Sequence, residues 1–351
     1  MWLIYLSLLL IFGFHSTFGR QKTPKSTSST DPTTFTTQKP NQSNCRCVAI
    51  ESCPSDIELD LRIVNEGSAA PCPTGQTWCC QPITPSLPCG TSRITNAPEQ
   101  PNGTARYGAY PWQVAIMSAN NKYLGSGVLI NANHVLTVAH KVQTDQSNVD
   151  FKIRLGDWDI KSTNEQFPHQ EYNIKSTKQI FVHPKYNNKS MFNDIAIVRL
   201  NTSVPLETNL NINTACLPDK SPAAGSRCYV AGWGKNAFGP SGMYQNILRD
   251  VDVPIVDQTT CETRLRATRL GGHFVLNKDS FMCAGGEPGK DACTGDGGAP
   301  LMCPYEKDGQ KIWNAVGLVT WGIGCADSSI PGVYINIYNY KKWINEILMS
   351  K

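Results

Sequence analysis

The chain has only one long apolar run, and it stands at the very start. After it, no stretch is apolar enough to cross a membrane, which takes about 20 such residues. Charge is scarce and nearly balanced: 17% of the 351 residues are Asp, Glu, Lys or Arg, and the formal net charge is +4. With no Lys/Arg run and no basic stripe, there is no electrostatic footprint for nucleic acid. The cysteines lack the paired Cys-x-x-Cys arms, with Cys or His partners, that zinc sites favour. Residues 20–44 have almost nothing apolar to bury, which excludes a packed core there.

Residues 1–19 contain Trp2-Leu3-Ile4-Tyr5-Leu6-Ser7-Leu8-Leu9-Leu10-Ile11-Phe12, followed by the small residues Thr17 and Gly19. They read as a signal peptide rather than a membrane anchor, because the run is well short of a spanning helix. A secreted, soluble, extracellular protein is expected. Residues 20–44 are rich in Ser, Thr, Pro, Lys and Gln and read as a disordered linker, a candidate for O-glycosylation. A plain spacer and a recognition role both stay open for it. Secretion makes the sequons at Asn41, Asn102, Asn188 and Asn201 usable for N-glycosylation.

The 14 cysteines fall into sets. Cys45, Cys47, Cys53, Cys72, Cys79 and Cys80 cluster, and Cys89 stands alone. Cys216, Cys228, Cys261, Cys283, Cys293, Cys303 and Cys325 follow. An even total suits a secreted protein with every thiol paired. Residues 45–80 are too few to build an adequate apolar core, so they need covalent staples. Six cysteines allow many pairings, and spacing does not choose among them.

Further on, short strand-like runs recur: 128–130, 134–138, 151–155, 180–182 and 195–200. Gly, Asn, Asp and Pro punctuate them. No alternation with long helices suggests an α/β sheet, so the expected class is all-β, a sandwich or barrel. Residues 340–349 suit a C-terminal helix with Trp343, Ile344, Ile347 and Leu348 on one face.

One stretch organises the rest: Lys290-Asp291-Ala292-Cys293-Thr294-Gly295-Asp296-Gly297-Gly298-Ala299-Pro300-Leu301. It resembles the nucleophile loop of chymotrypsin-like serine proteases, Cys-x-Gly-Asp-Ser-Gly-Gly-Pro, with Gly297 where the serine belongs. Leu136-Thr137-Val138-Ala139-His140 resembles the family's histidine segment, and Asn193-Asp194-Ile195-Ala196 its aspartate segment. The fold implied is a chymotrypsin-like double β-barrel with a C-terminal helix over residues 94–351. In that chemistry the histidine takes the serine's proton and the aspartate orients the histidine. Glycine offers no attacking oxygen, so His140 and Asp194 are read as remnants of a triad, not as catalytic residues. Loss of the serine alone costs about a millionfold in turnover in a comparable protease. A disulfide that the family usually places around the histidine loop is also missing: Gly125 and Lys141 stand at its two positions.

The same resemblance implies the disulfides Cys89–Cys216, Cys228–Cys303, Cys261–Cys283 and Cys293–Cys325. It implies a trypsin-like pocket with Asp291 at its base and Gly322 and Gly332 on its walls, open to a basic side chain or closed as a relic. It implies an activation cut between Arg93 and Ile94, after which the Ile94 ammonium would bury against Asp296, an arrangement tolerable only as a hydrogen-bonded pair. Asn96 and Ala97 replace two family glycines there. The carboxylates of 157–165 fall where some relatives bind calcium; a solvated loop competes, and no metal or other cofactor is assigned.

The adjacent Cys79-Cys80 and the spacing before them resemble a clip domain over 45–80, joined through an 81–93 linker that holds Cys89. That implies the pairs Cys45–Cys79, Cys47–Cys72 and Cys53–Cys80, and either a docking module or a passive cap. The whole resembles the arthropod clip-domain serine protease homologues. The resemblance implies a haemolymph cofactor without catalysis, cleaved by an upstream trypsin-like protease. Its partners would be prophenoloxidase, the activating clip protease of that precursor, or both. A recognition or adhesion protein, a negative regulator and a weak enzyme are the rival expectations.

Overall fold

The computed structural model describes residues 45–49, 76–80, 87–101, 103–143, 149–237, 239, 241–290, 295–307, 309–324 and 329–350. The chain divides into two compact units, Met1–Thr84 and Pro85–Lys351. In the first, β1 (Cys45–Ala49) and β2 (Gln76–Cys80) form an antiparallel pair with Cys45 opposite Cys80 and Cys47 opposite Trp78. Only backbone is described there. The expected leader, the linker, Asn41 and Asn102 lie outside the described residues, and so do the cysteine side chains of the expected clip pairing.

The second unit holds two antiparallel sheets. β3 (Gln113–Ser118), β4 (Tyr123–Asn131), β5 (His134–Thr137), β6 (Phe151–Leu155), β7 (Gln170–Ile174), β8 (Ile180–Val182) and β9 (Ala196–Arg199) form a seven-stranded sheet. Its order is β7-β6-β3-β4-β5-β9-β8. The second sheet closes as a barrel, β10-β11-β12-β15-β14-β13. Its strands are β10 (Arg227–Gly232), β11 (Arg249–Val256), β12 (Phe281–Gly285), β13 (Pro300–Lys307), β14 (Gln310–Trp321) and β15 (Pro331–Asn336). This is the all-β double-barrel class that the motifs imply.

The period of two explains why β3 is apolar on both faces from Val114 to Met117. Val114 and Ile116 point into the first sheet's own core with Leu129, Ile153 and Val198. Ala115 and Met117 point the other way, into a core shared with Trp233, Leu318 and Ile335 of the second barrel. A strand buried on both faces reads as a continuous apolar run. The second barrel has its own interior, built from Val230, Val253, Leu301, Val316 and Tyr334. The functional residues lie between the two halves.

The run 128–130 covers only the C-terminal part of nine-residue β4, because Gly125 and Gly127 break the apolar pattern. Those glycines answer to packing: a Cβ on Gly127 would stand 2.9 Å from Val135 Cγ1. A helix α2 (Gln258–Arg266), absent from the sequence reading, starts at Asp257, whose side chain accepts from Thr260 N. Its apolar face is short, with Cys261 and Leu265 buried, which leaves little periodic signal. The C-terminal helix α3 spans Lys341–Met349 behind a 3-10 turn at Ile337–Tyr340. It buries Ile344 and packs Trp343, Ile347 and Leu348 on the core. Disulfides join Cys89 to Cys216, Cys228 to Cys303 and Cys261 to Cys283. Bonds of this kind contribute about 2–4 kcal/mol each. The segment around Cys89 lies on the domain: Gly90 N donates to Thr214 O, and Asn213 Nδ2 donates to Thr91 O.

Candidate functional site

His140 sits in a single helical turn, α1 (Ala139–Val142), at the end of β5. Ala139 and Val142 are buried and fix the turn. Asp194 is fully buried and collects three donors. His140 N donates to Oδ1 at 2.8 Å, and His140 Nδ1 meets Oδ2 at 2.7 Å. Thr320 Oγ1, from β14, donates to Oδ2 at 2.6 Å. A buried carboxylate is stable only when its lone pairs are filled in this way. The turn before it is held by Asn193 in left-handed geometry, φ 55°. Tyr340 O–H donates to Asn193 Oδ1 at 3.0 Å, and Asn193 Nδ2 donates to Lys185 O at 2.8 Å. Burial and the Asp194 charge push the Tyr186 phenol up to about 12.

Gly297 faces this pair from the second half. A Cβ built on it would stand 3.1 Å from His140 Nε2. The structure thus brings His140, Asp194 and position 297 together, with the histidine oriented and no hydroxyl at 297 to meet it. The same Cβ would stand only 2.7 Å from Lys141 Cε. Lys141 therefore lies across the space a side chain at 297 would need. Gly298 (φ 87°) has no room for a Cβ, which would meet Ser126 O at 2.1 Å. Ala299 is fully buried, and its methyl packs in the barrel core.

Asp296 is buried, and its Oδ1 accepts from Gly234 N at 2.9 Å. A Cβ on Gly232 or Gly234 would collide with this carboxylate, at 2.2 and 2.5 Å. In the uncut chain Ile94 is held elsewhere. Its side chain covers Gly108, and its carbonyl accepts from Arg106 Nη1 at 3.2 Å. Arg93 is drawn inward: Nη2 donates to the carbonyls of Leu206, Asn209 and Ile212 at 2.5–2.6 Å, and Nη1 to Glu207 O at 3.4 Å. Burial lowers the Arg93 guanidinium from the ordinary arginine value, and Glu207 offsets part of this.

Gly322 is exposed and Gly332 pairs with Ala284 across β12 and β15. Asp291, Cys293 and Cys325 lie outside the described residues. Asn188 and Asn201 are exposed. In the acidic stretch Arg154 takes the central place: Nη1 donates to Asp157 Oδ2 at 3.0 Å and Nη2 to Glu171 Oε1 at 2.7 Å. Glu165 Oε1 accepts from Trp158 N and Asp159 N. Among the described residues no group of three His, Cys, Asp or Glu is placed to hold a metal ion. Sequence reading missed Thr320, the place of the Lys141 side chain and the carbonyl cradle of Arg93. Each depends on contacts between segments distant in the chain and carries no local motif.

The trypsin family pattern matches residues 101–344, and the chain belongs to the trypsin family. Its fold and the His140–Asp194 geometry are those of a serine-protease-like domain. Within that family it falls among the arthropod clip-domain serine protease homologues. It is 42% identical to the inactive CLIP domain-containing serine protease A3 of Aedes aegypti, over 87% of this chain and 67% of the relative. It is 43% identical to phenoloxidase-activating factor 2 of Galleria mellonella, over 70% of this chain and 82% of the relative. Protein masquerade of Drosophila melanogaster is 36% identical over 69% of this chain, but only 22% of that longer protein is covered. Among the described residues no helix is long and apolar enough to cross a membrane.

Proposed function

We propose that this protein is a secreted, non-catalytic serine protease homologue. In this reading it serves as a cofactor in an extracellular innate-immune protease cascade in haemolymph, the activation of prophenoloxidase that leads to melanisation. One observation carries the loss of catalysis: an oriented His140–Asp194 pair faces Gly297, which has no oxygen to activate. The names of two relatives, an inactive clip-domain protease and a phenoloxidase-activating factor, support the cascade. The three disulfides, the filled Asp194 site and the closed second barrel are what a binding scaffold needs. The partners would be prophenoloxidase and its activating clip protease. An upstream trypsin-like protease would cut near Arg93 to change the state of the molecule, and the 45–80 segment would act as a docking module.

A reconstitution tests this. Prophenoloxidase and its activating protease are mixed with the full chain, intact or cut, and phenoloxidase activity is followed. A rise with the cut form is the expected result. No change overturns the cofactor role, and a fall replaces it with negative regulation. Fluorophosphonate labelling of the same preparations checks the absence of a nucleophile; a labelled chain would refute it.

A further inference from the structure

A cleft of about 610 Å³ opens between the segment that follows β8, the turn at Asn193 and the start of α3. That volume lies within the roughly 300–1,000 Å³ of small-molecule sites. Bonds between segments distant in the chain fix its walls. Tyr340 O–H donates to Asn193 Oδ1 at 3.0 Å, and Asn193 Nδ2 donates to Lys185 O at 2.8 Å. Asn339 Nδ2 donates to the carbonyls of Lys278 and Asp279 at 3.2 and 3.1 Å. Walls held in this way are preorganised, so binding orders little that was loose before.

One side of the cleft is aromatic. The His183 ring meets Tyr340 edge-on at 5.3 Å and Trp343 at 5.2 Å. Tyr340 is buried, and Trp343 lines the cleft half-buried. Lys185 N donates to His183 Nδ1 at 3.3 Å, which leaves the ring proton on Nε2 as a donor. Burial, and then the Lys185 charge, lower the imidazolium from the ordinary histidine value, so the ring is neutral at neutral pH.

The other lining groups are charged and balanced in sign: Lys185 and Lys342 against Asp279 and Glu346. Among the described residues, none of these four side chains makes an ion pair or a hydrogen bond. Two charges of each sign cancel, which disfavours a polyanion, and open polar groups disfavour an apolar ligand. A sugar ring suits both features. Its C–H bonds, weakly positive, rest on the negative face of an indole. Its hydroxyls both donate and accept, so they meet carboxylate and ammonium alike.

We propose that this cleft binds uncharged oligosaccharides, with Trp343 as the stacking platform and Asp279, Glu346, Lys185 and Lys342 as hydroxyl partners. Such a sugar reaches the protein as a cell-wall polymer or as an N-glycan on another protein. The site uses neither His140 nor Gly297, and it stands whether or not the cascade role holds.

The test titrates the full, disulfide-intact chain by calorimetry with chitotriose, cellotriose and mannotriose. The first two stand for wall polymers and the third for N-glycans, so the arm that responds names the source. Saturable binding with a dissociation constant of about 1 mM or tighter is expected for at least one of them. Failure of all three overturns the proposal. A heparin hexasaccharide that binds more tightly than every neutral sugar also overturns it, in favour of a polyanion site. Asp279→Ala combined with Glu346→Ala changes two exposed residues and is expected to weaken binding about tenfold or more. Trp343→Phe keeps a ring in the packing, removes the indole, and is expected to weaken binding as well. Thermal melting confirms that the variants are folded. Unchanged affinity in the folded double variant would move the sugar away from this cleft and refute the assignment.

Discussion

Cutting the Arg93–Ile94 bond is expected to be slow in the folded chain, because its arginine is already bound. A trypsin-like protease must take the P1 side chain into its own pocket. Here Arg93 Nη2 meets three main-chain carbonyls at 2.5–2.6 Å, from Leu206, Asn209 and Ile212. The Nη1 contact to Glu207 O, at 3.4 Å, is weak. Nη2 has only two hydrogens, so the cradle is worth two charge-assisted bonds, not three. At about 1.5 kcal/mol for each such bond, the low end for a half-exposed group, extraction costs about 3 kcal/mol. Since 1.4 kcal/mol is a factor of ten, cleavage falls by about a hundredfold. The assay compares limiting trypsin on the folded protein with trypsin on a peptide of residues 88–99, following the product that begins at Ile94. Arg93→Lys, whose single ammonium cannot span the cradle, should narrow the gap between folded chain and peptide. Equal rates for protein and peptide would show that the cradle holds nothing shut.

Three other perturbations have defined outcomes. Gly297→Ser should react with a fluorophosphonate more slowly than Gly297→Ser combined with Lys141→Ala, because the new Cβ would lie 2.7 Å from Lys141 Cε; equal labelling means the lysine moves aside freely. Asp194→Ala orphans His140 N, His140 Nδ1 and Thr320 Oγ1, and should cost about 3–4 kcal/mol in a urea melt. A loss under about 1 kcal/mol would contradict that accounting of buried donors. Glu165 is pushed up to about 7 by burial, from an ordinary 4.5. The folded state then holds its proton more tightly than the unfolded state, so stability is full below the ordinary value and is lost as pH rises towards about 7. Glu165→Gln keeps the acceptor for Trp158 N and Asp159 N and should flatten this fall in melting temperature; an unchanged slope would assign it to another group.

Some of this was legible in the residues alone. The segments around His140, Asp194 and Gly297 carry their meaning locally, because a histidine at the end of a buried strand and a glycine in a tight loop leave fixed patterns. The amphipathic 340–349 segment likewise states its burial through periodicity. α2 escaped because only Cys261 and Leu265 of it are buried. β4 was cut short by glycines whose reason is a neighbour across the sheet.

The sequence by itself therefore determined the class of fold and the missing oxygen at position 297, since both are matters of residue type along the chain. Only the tertiary structure decided what fills the space, because that depends on segments far apart in sequence. It set Thr320 on Asp194, across 126 residues. It drew Arg93 into carbonyls more than 110 residues away. It laid Lys141 between Gly125 and Gly297, where the absence of two side chains makes room for one.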